Sequence, residues 1–398
     1  MSESPAPPLA GLRVIELGQL IAGPFCTQLL SDFGAEVIKI EAPDAPDPAR
    51  GWGAVKMDGI GLYWPVIARG KKSLTLNLRE GEGQDILKRL IATTDVLVEN
   101  FRPGTLEKWD LGPDVLHAIN PRLVIARVSG YGQTGPESHK AGYASVGEAK
   151  GGLRHMIGEP DRLPARAGVS LGDTMTGTFA CLGVMMALQA RERTGRGQVV
   201  DAAIYESVMA FMESLIPEYA LAGHVRHRSG PILPRIAPSS VYPCSDGVVI
   251  IGANQDTLFR RLSDMCGTGW ADDPKYATHD ARGENQQELD ELIGSWTASR
   301  SIAEVIAAAE SHAVPCGQVN TARELLEDAH VAARQAIIRV ADPVLGEVPM
   351  QGVFPRLSET PGSVRTTGPA LGQHTDEVLA SIGLGGEDIA RLRAAGVV

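Results

Sequence analysis

Residues 12–41 read LRVIELGQLIAGPFCTQLLSDFGAEVIKIE. Leu12 to Leu17 is a short apolar run, which predicts a buried strand. Gly18 to Pro24 forms a loop. Phe25, Leu29, Leu30 and Phe33 then recur at helical spacing, and Gly34 stands where a glycine closes a helix. Val37 to Ile40 is a second apolar run. Strand, helix and strand in this order open a parallel sheet covered by helices.

The alternation continues outward from there. Ser73 to Leu78 reads as a strand, Glu82 to Ile91 as a helix, and Asp95 to Glu99 and Val124 to Val128 as further strands. Residues 1 to about 130 are therefore expected to be a doubly wound α/β region. Gly130 to Gly172 is Gly-rich and irregular, and stretches of that length are functional or flexible. Met175, Phe179, Leu182, Met186 and Gln189 predict a helix that stops at Thr194-Gly195-Arg196-Gly197. Val199 to Ala203 reads as a strand, and Ile204, Val208, Phe211 and Leu215 as one apolar helix face.

Residues 223–240, GHVRHRSGPILPRIAPSS, are basic and carry three prolines without periodicity, as a linker does. A second module follows, with a strand at Val248–Ile251 and helices at Thr257–Met265, Leu289–Ala298 and Ala303–Ser311. From about residue 335 the chain returns to a β-rich, Pro/Gly-punctuated style, with a short helix around Asp376 to Ile382.

The chain has 398 residues, long enough for a large core and for two to three domains by length alone. Hydrophobic residues make up 43% and charged residues 21%, which excludes collagen-like, disordered and disulfide-dense classes. A net charge of -11 argues against bulk nucleic-acid or anionic-membrane binding. Cys26, Cys181, Cys244, Cys266 and Cys316 are scattered and make no CxxC, so no zinc or disulfide framework is readable. No histidine pair has metal spacing. The polar MSESPAPP start lacks the segments of a signal peptide, and no run of 18 apolar residues occurs, so a cytoplasmic, membrane-free protein is expected.

The loop after the first strand, Gly18-Gln19-Leu20-Ile21-Ala22-Gly23-Pro24, lacks the GxGxxG spacing of a dinucleotide site. P-loop, HExxH, GxSxG and EF-hand patterns are absent as well. Asp173, in Gly172-Asp173-Thr174, has two readings. It is a helix N-cap, or a carboxylate held as an anion by a helix start and able to act as a nucleophile. In the second reading neighbouring glycines leave N–H groups for an oxyanion. Lys71-Lys72 is either solvated surface or a phosphate contact. Asn100-Phe101-Arg102-Pro103-Gly104 follows a strand end, where ligands of parallel sheets bind; otherwise it is a plain turn.

Seven pieces, in order, resemble the class III CoA-transferases, the family of formyl-CoA transferase, carnitine CoA-transferase and the α-methylacyl-CoA racemases. They are Ala22-Gly23-Pro24 with Asp32 to Glu41, Arg69 to Ser73, Glu99 to Gly104, Gly172-Asp173, Thr194 to Gln198, Asp201, and Leu371 to Glu377. The resemblance runs from about Leu9 to Leu379. It implies a Rossmann-like, doubly wound parallel sheet in a large domain, a smaller inserted α/β domain, and an interlocked homodimer. The expected boundaries are 1–222 and 331–398 for the large domain, 223–240 for the linker and 241–330 for the small domain, with the return crossing near 331–350.

The resemblance also assigns roles. Asp173 falls on the nucleophile, which forms a mixed anhydride and then an aspartyl-CoA thioester. No metal and no cofactor beyond CoA thioester substrates is implied. Ile21 and Ala22 match the pantetheine loop, Lys71 and Lys72 the nucleotide end, and Asn100, Phe101 and Lys108 the CoA-lining segment. Lys140 and Tyr143 precede the acyl-pocket turn, with Gly172 and Glu148 at the oxyanion and acyl side. Glu148 stands where the family commonly has glutamine. No tetraglycine lid is recognisable, which disfavours oxalate and formyl-CoA. The racemase branch has a histidine where this chain has Tyr143, and His139 is out of register. Tyrosine, with an unperturbed pKa of about 10, is a poor base, so transfer is expected over racemisation. Ala141 to Ala149 is similar to the branch that takes succinyl-CoA and dicarboxylates. Arg50, Arg69, Arg154 and Arg166 are the candidates for a second carboxylate. A CoA-binding relative without turnover is the third reading, disfavoured by the intact Gly172-Asp173.

Overall fold

The computed structural model describes residues 6–398; residues 1–5 of the polar N-terminus lie outside the described residues. The chain divides into two compact units. The first holds the residues up to Leu153 together with Ala167–Gly223 and Val331–Val398. The second holds Arg154–Arg166 and His224–His330.

Among the described residues, the first unit is built on a six-stranded sheet. In space its strands run Lys72–Thr75, Glu36–Glu41, Arg13–Glu16, Val96–Glu99, Val124–Ser129 and Val199–Ala203, and every neighbouring pair is parallel. Numbered along the chain, that is the order 3-2-1-4-5-6 of a doubly wound sheet. The central strands Val96–Glu99 and Val124–Ser129 are buried along their whole length. That is why their sequences read as continuous apolar runs rather than alternating ones.

Two cores sit on the two faces. Leu17, Leu74, Leu87, Leu90 and Leu97 fill one, under the helix Gly81–Ile91. Val14, Val37, Val98, Leu30, Val184 and Leu188 fill the other, under the helices Ala22–Asp32 and Leu171–Thr194. Truncating a fully buried leucine such as Leu87 to alanine costs roughly 2–5 kcal/mol. The two helices cross very tightly. A Cβ on Gly177 would stand 2.6 Å from the Ala22 carbonyl oxygen, so glycine is required there.

The outer strand Lys72–Thr75 is not left open. His374 N–H donates to Ser73 O at 2.9 Å, and Ser73 N–H donates to His374 Nδ1 at 3.1 Å. Thr75 N–H donates to Thr375 Oγ1 at 3.1 Å, and Gly372 N–H to Ser73 Oγ at 3.0 Å. The Leu371 to Glu377 motif therefore covers a sheet edge that would otherwise present unpaired backbone groups.

Three expectations need correction. Ile204 to Leu215 is not one helix but parts of two, Ile204–Met209 and Leu215–Ala222, broken where Glu213 adopts φ +48°. Residues 154–166, placed by sequence with the large unit, pack with the second. Arg228 ties them there, donating to the carbonyl oxygens of Glu159, His155 and Arg162 at 3.3, 3.3 and 3.0 Å. The sheet of the second unit, Ser239–Cys244, Gly247–Gly252 and Cys316–Gln318, is antiparallel rather than of the parallel α/β type, because its first two strands form a tight hairpin. Tyr242, Phe259, Leu289 and Ile293 form its core. Arg282 is fully buried in it and donates to the carbonyls of Ala237, Tyr276 and Asn254 and to the Asp256 carboxylate.

Candidate active site

In a sheet of order 3-2-1-4-5-6 the chain leaves strands one and four in opposite directions, and a crevice opens at their carboxyl ends. These strands are Arg13–Glu16 and Val96–Glu99. A cavity of about 180 Å³ lies at this point, walled by Leu20, Ile21 and Ala22, by Asn100 to Pro103, and by Lys140 to Tyr143. Its two loops are clasped together. Asn100 Oδ1 accepts from Gln19 N–H and Asn100 Nδ2 donates to Gln19 O, both at 2.8 Å. Gly18 and Gly23 allow the turn to fold on itself, since a Cβ on Gly18 would lie 3.1 Å from Pro24 Cδ. The helix Ala22–Asp32 starts without a side-chain cap, so the N–H groups of its first turn await an acceptor.

Beneath this turn lies a cluster of charges drawn from two strands and two loop positions, Asp47 and Lys71. Glu16 Oε1 pairs with Lys39 at 2.8 Å and Oε2 with Lys71 at 2.8 Å. Lys39 also pairs with Asp47 at 2.8 Å. Burial opposes the charge on Glu16, but the two ammonium groups win and hold its carboxyl down at about 2. Glu99, across the crevice, shows the reverse balance. Burial raises its carboxyl to about 7 despite Arg127 Nε at 2.8 Å, because that guanidinium is shared with Glu107.

Asp173 occupies the first turn of the helix Leu171–Thr194, three residues in from Ser170 at the cap position. It is therefore not itself the N-cap. The turn is fixed from below: Gly172 N–H donates to Glu148 Oε1 at 3.1 Å, and a Cβ on Gly172 would meet Glu148 Cγ at 3.0 Å. This corrects the expectation that the Gly172 N–H is open to an oxyanion, since the Glu148 carboxylate occupies it. Tyr63 faces the same region. Its phenol is pushed up first by burial, then by the negative charges of Asp173 and Asp47. One turn beyond Asp173, Gly177 packs on Ala22, which brings the Asp173 helix to the wall of the crevice.

Ile21, Ala22, Asn100, Phe101, Lys140 and Tyr143 thus line one cavity, as a shared ligand site requires. Lys140 pairs with Glu137 at 2.6 Å, and Tyr143 is 69% exposed. Lys108 is exposed on the short helix Thr105–Lys108, away from that lining. Lys71 is buried, spent on Glu16 and on the Pro24 carbonyl at 2.8 Å, which speaks against a phosphate contact. Lys72 bridges Glu36 and Glu377 at 2.7 and 2.6 Å. Arg50 is committed to Glu41 and Arg69 to Asp32, each through two nitrogens, which removes both as grips for a second carboxylate. Arg154 and Arg166 belong to the second unit.

Sequence reasoning did not single out Tyr63, Arg79 or Asp47, and it took Arg102 and Lys39 only as parts of the Asn100 to Gly104 and Asp32 to Glu41 segments. Arg102 is exposed in the wall of the crevice. Arg79 is exposed beside a second groove of about 380 Å³, lined by Leu17, Ile40, Leu76, Phe101 and Trp109. The available signal was a charged residue inside a buried strand, as in VIEL and VIKIE.

The family model for CoA-transferase family III matches residues 9–375. The chain belongs to that family. It is 54% identical over all of both chains to succinyl-CoA–D-citramalate CoA-transferase of Chloroflexus aurantiacus. It is 35% identical to succinate–glutarate CoA-transferase of Agrobacterium fabrum, over 94% of this chain and 96% of that one. Among solved structures, a CAIB/BAIF family protein of Brucella suis superposes with a TM-score of 0.85 at 34% identity, covering 95% of this chain and 100% of that one. The protein is accordingly a CoA-transferase, and CoA thioesters are its substrates.

Proposed function

We propose that the enzyme moves CoA from succinyl-CoA to a small dicarboxylate, with Asp173 as the covalent nucleophile. The observation that carries this reading is the seat of Asp173: first turn of a 24-residue helix, half-buried, with its neighbouring backbone locked by Glu148. A helix start favours negative charge there. The activities for which the Chloroflexus and Agrobacterium relatives are named, on succinyl-CoA and D-citramalate and on succinate and glutarate, support succinyl-CoA and a C4–C5 dicarboxylate class.

The chemistry runs in four balanced displacements. The Asp173 carboxylate attacks the donor thioester carbonyl and expels CoA thiolate, leaving a mixed anhydride. The thiolate attacks the aspartyl carbonyl and expels succinate, leaving an aspartyl-CoA thioester. The acceptor carboxylate attacks that carbonyl, and the thiolate leaves again. Finally the thiolate attacks the acceptor's acyl carbon, and Asp173 departs as the free carboxylate. No net proton is taken up or released. Each tetrahedral oxyanion needs donors, and the uncapped N–H groups of Ala22 and Gly23 are the ones at hand. Tyr63 is a side-chain hydroxyl within electrostatic reach of Asp173.

CoA would lie across both cavities, which share Gln19 and Phe101 as walls. The apolar groove of Leu17, Ile40 and Trp109 suits a flat adenine. Arg79 and Arg102 suit its phosphates, as guanidinium groups do. The helix Leu171–Thr194 also carries an exposed apolar stripe of Phe179, Leu182 and Met186. That stripe supports a homodimer in which a second copy covers it. The test is product analysis after mixing the enzyme with succinyl-CoA and citramalate, malate, glutarate or itaconate. A new acyl-CoA made by wild type and not by Asp173→Asn is expected. Full transfer by Asp173→Asn would sink the nucleophile, and solvent deuterium entering the acyl α-carbon without transfer would favour a racemase.

A further inference from the structure

The turn that opens the crevice is gripped at three backbone points by side chains that are themselves out of water. Lys39 Nζ donates to Gly18 O at 2.7 Å, and Lys71 Nζ to Pro24 O at 2.8 Å. Between them, Leu20 N–H donates to the Asp47 carboxylate at 3.0 Å. Glu16 and Asp47 neutralise the two lysines, and all four residues are 2% exposed or less. With Glu16, Asp47 and Gly18 O as acceptors, the three protons of Lys39 are used up.

A buried ion cluster is a poor way to fill a core, since apolar residues of the same volume are often as stable. What this cluster does that apolar residues cannot is fix backbone atoms. Leu20 sits at φ +63°, a left-handed conformation unfavourable for a residue with a Cβ. Such strain persists only where the surroundings impose it. The three grips bracket Ile21, Ala22 and Gly23 at the start of a helix without a side-chain cap, where Ile21 and Ala22 line the crevice.

We propose that Asp47 is a positioning residue of the transfer reaction. It holds Leu20 in the left-handed conformation and, through Lys39, sets the N–H groups of Ala22 and Gly23 against the carbonyl under attack. This rests on the reading of Asp173 as the nucleophile. The competing role is purely structural, because Asp47 Oδ1 also accepts Ala49 N–H at 2.9 Å and caps the turn Pro48–Gly51.

The test compares wild type, Asp47→Ala and Asp47→Asn in steady-state transfer and in amide hydrogen exchange of the unliganded enzyme. Asp47→Ala is expected to lower kcat by about 10- to 100-fold, the effect of a small misplacement, with the KM for succinyl-CoA little changed. Exchange is expected to quicken in peptides covering residues 18–24 and not in the sheet. Asp47→Asn keeps an acceptor for Leu20 and is expected to restore part of both. Wild-type kcat in a folded Asp47→Ala overturns the proposal, as does a lower kcat with unchanged exchange at 18–24. Where Asp47→Ala does not fold, Asp47→Asn decides alone: wild-type kcat together with wild-type exchange overturns the proposal. Absence of transfer by wild type would instead fail the nucleophile reading, while the exchange data still judge whether Asp47 holds the turn.

Discussion

Glu16 and Glu99 end the two strands that flank the crevice, and both are buried to within 1% of full burial. Their electrostatics are opposite. Glu16 faces two ammonium groups and is held at about 2; Glu99 has one guanidinium, shared with Glu107, and is raised to about 7. Desolvation raises both, but two cations answer it at Glu16 and only one, shared with Glu107, at Glu99. On one side of the crevice the carboxylate therefore stays ionised at physiological pH. The other hangs on a carboxyl that titrates near neutrality and whose Oε2 accepts Phe101 N–H at 2.7 Å.

The comparison breaks most visibly at Glu16. Glu16→Gln leaves Lys39 and Lys71 buried with too little negative charge. It should destabilise the protein by about 3–5 kcal/mol in denaturant titration. A loss below about 1 kcal/mol would mean that the cluster is not under electrostatic tension. The wild-type contribution of Glu16 is present above its unfolded value of 4.5 and is lost as pH falls toward 2.

Arg102, on the Glu99 wall, should matter for binding rather than folding. Arg102→Ala is expected to raise the KM for succinyl-CoA by about 10-fold or more, the effect of a lost charge-assisted hydrogen bond, with an unchanged melting temperature. An unchanged KM would take the phosphates elsewhere. Glu99 gives a subtler signal of opposite sign to Glu16. Its folded value is raised, so its contribution is fully present below 4.5 and is lost as pH rises through about 7. Stability of wild type should therefore fall relative to Glu99→Gln between pH 5 and 8; parallel profiles would contradict the assignment. The smallest effect is expected from Glu148→Gln. It keeps an oxygen for Gly172 N–H and should stay within about 0.5 kcal/mol of wild type, whereas a large loss would show that the charge itself is needed.

Much of the parallel sheet was legible because its strands are apolar and separated by helical periods. Val199–Ala203 was found as a strand by the same signal, although it lies at the sheet edge. The place of Asp173 near a helix start was legible through the Gly-Asp pair. The supporting cluster was not, since Glu16 and Lys39 sit in strands whose apolar neighbours dominate any pattern, and Asp47 lies in a proline-rich loop. Lys71 was misleading for a related reason. A lysine pair reads as surface, and only the fold brings Glu16 beneath it. The attachment of residues 154–166 to the second unit was equally hidden, because it rests on contacts between segments about 70 residues apart, such as Arg228 to the carbonyls of His155, Glu159 and Arg162 and Gly230 N–H to Gly158 O.

The most direct test of the central claim is mass spectrometry of the enzyme quenched during turnover with succinyl-CoA. A CoA-mass adduct on the peptide carrying Asp173, absent from Asp173→Asn, is the predicted result. An adduct on another residue, or turnover to a new acyl-CoA by Asp173→Asn, would contradict it.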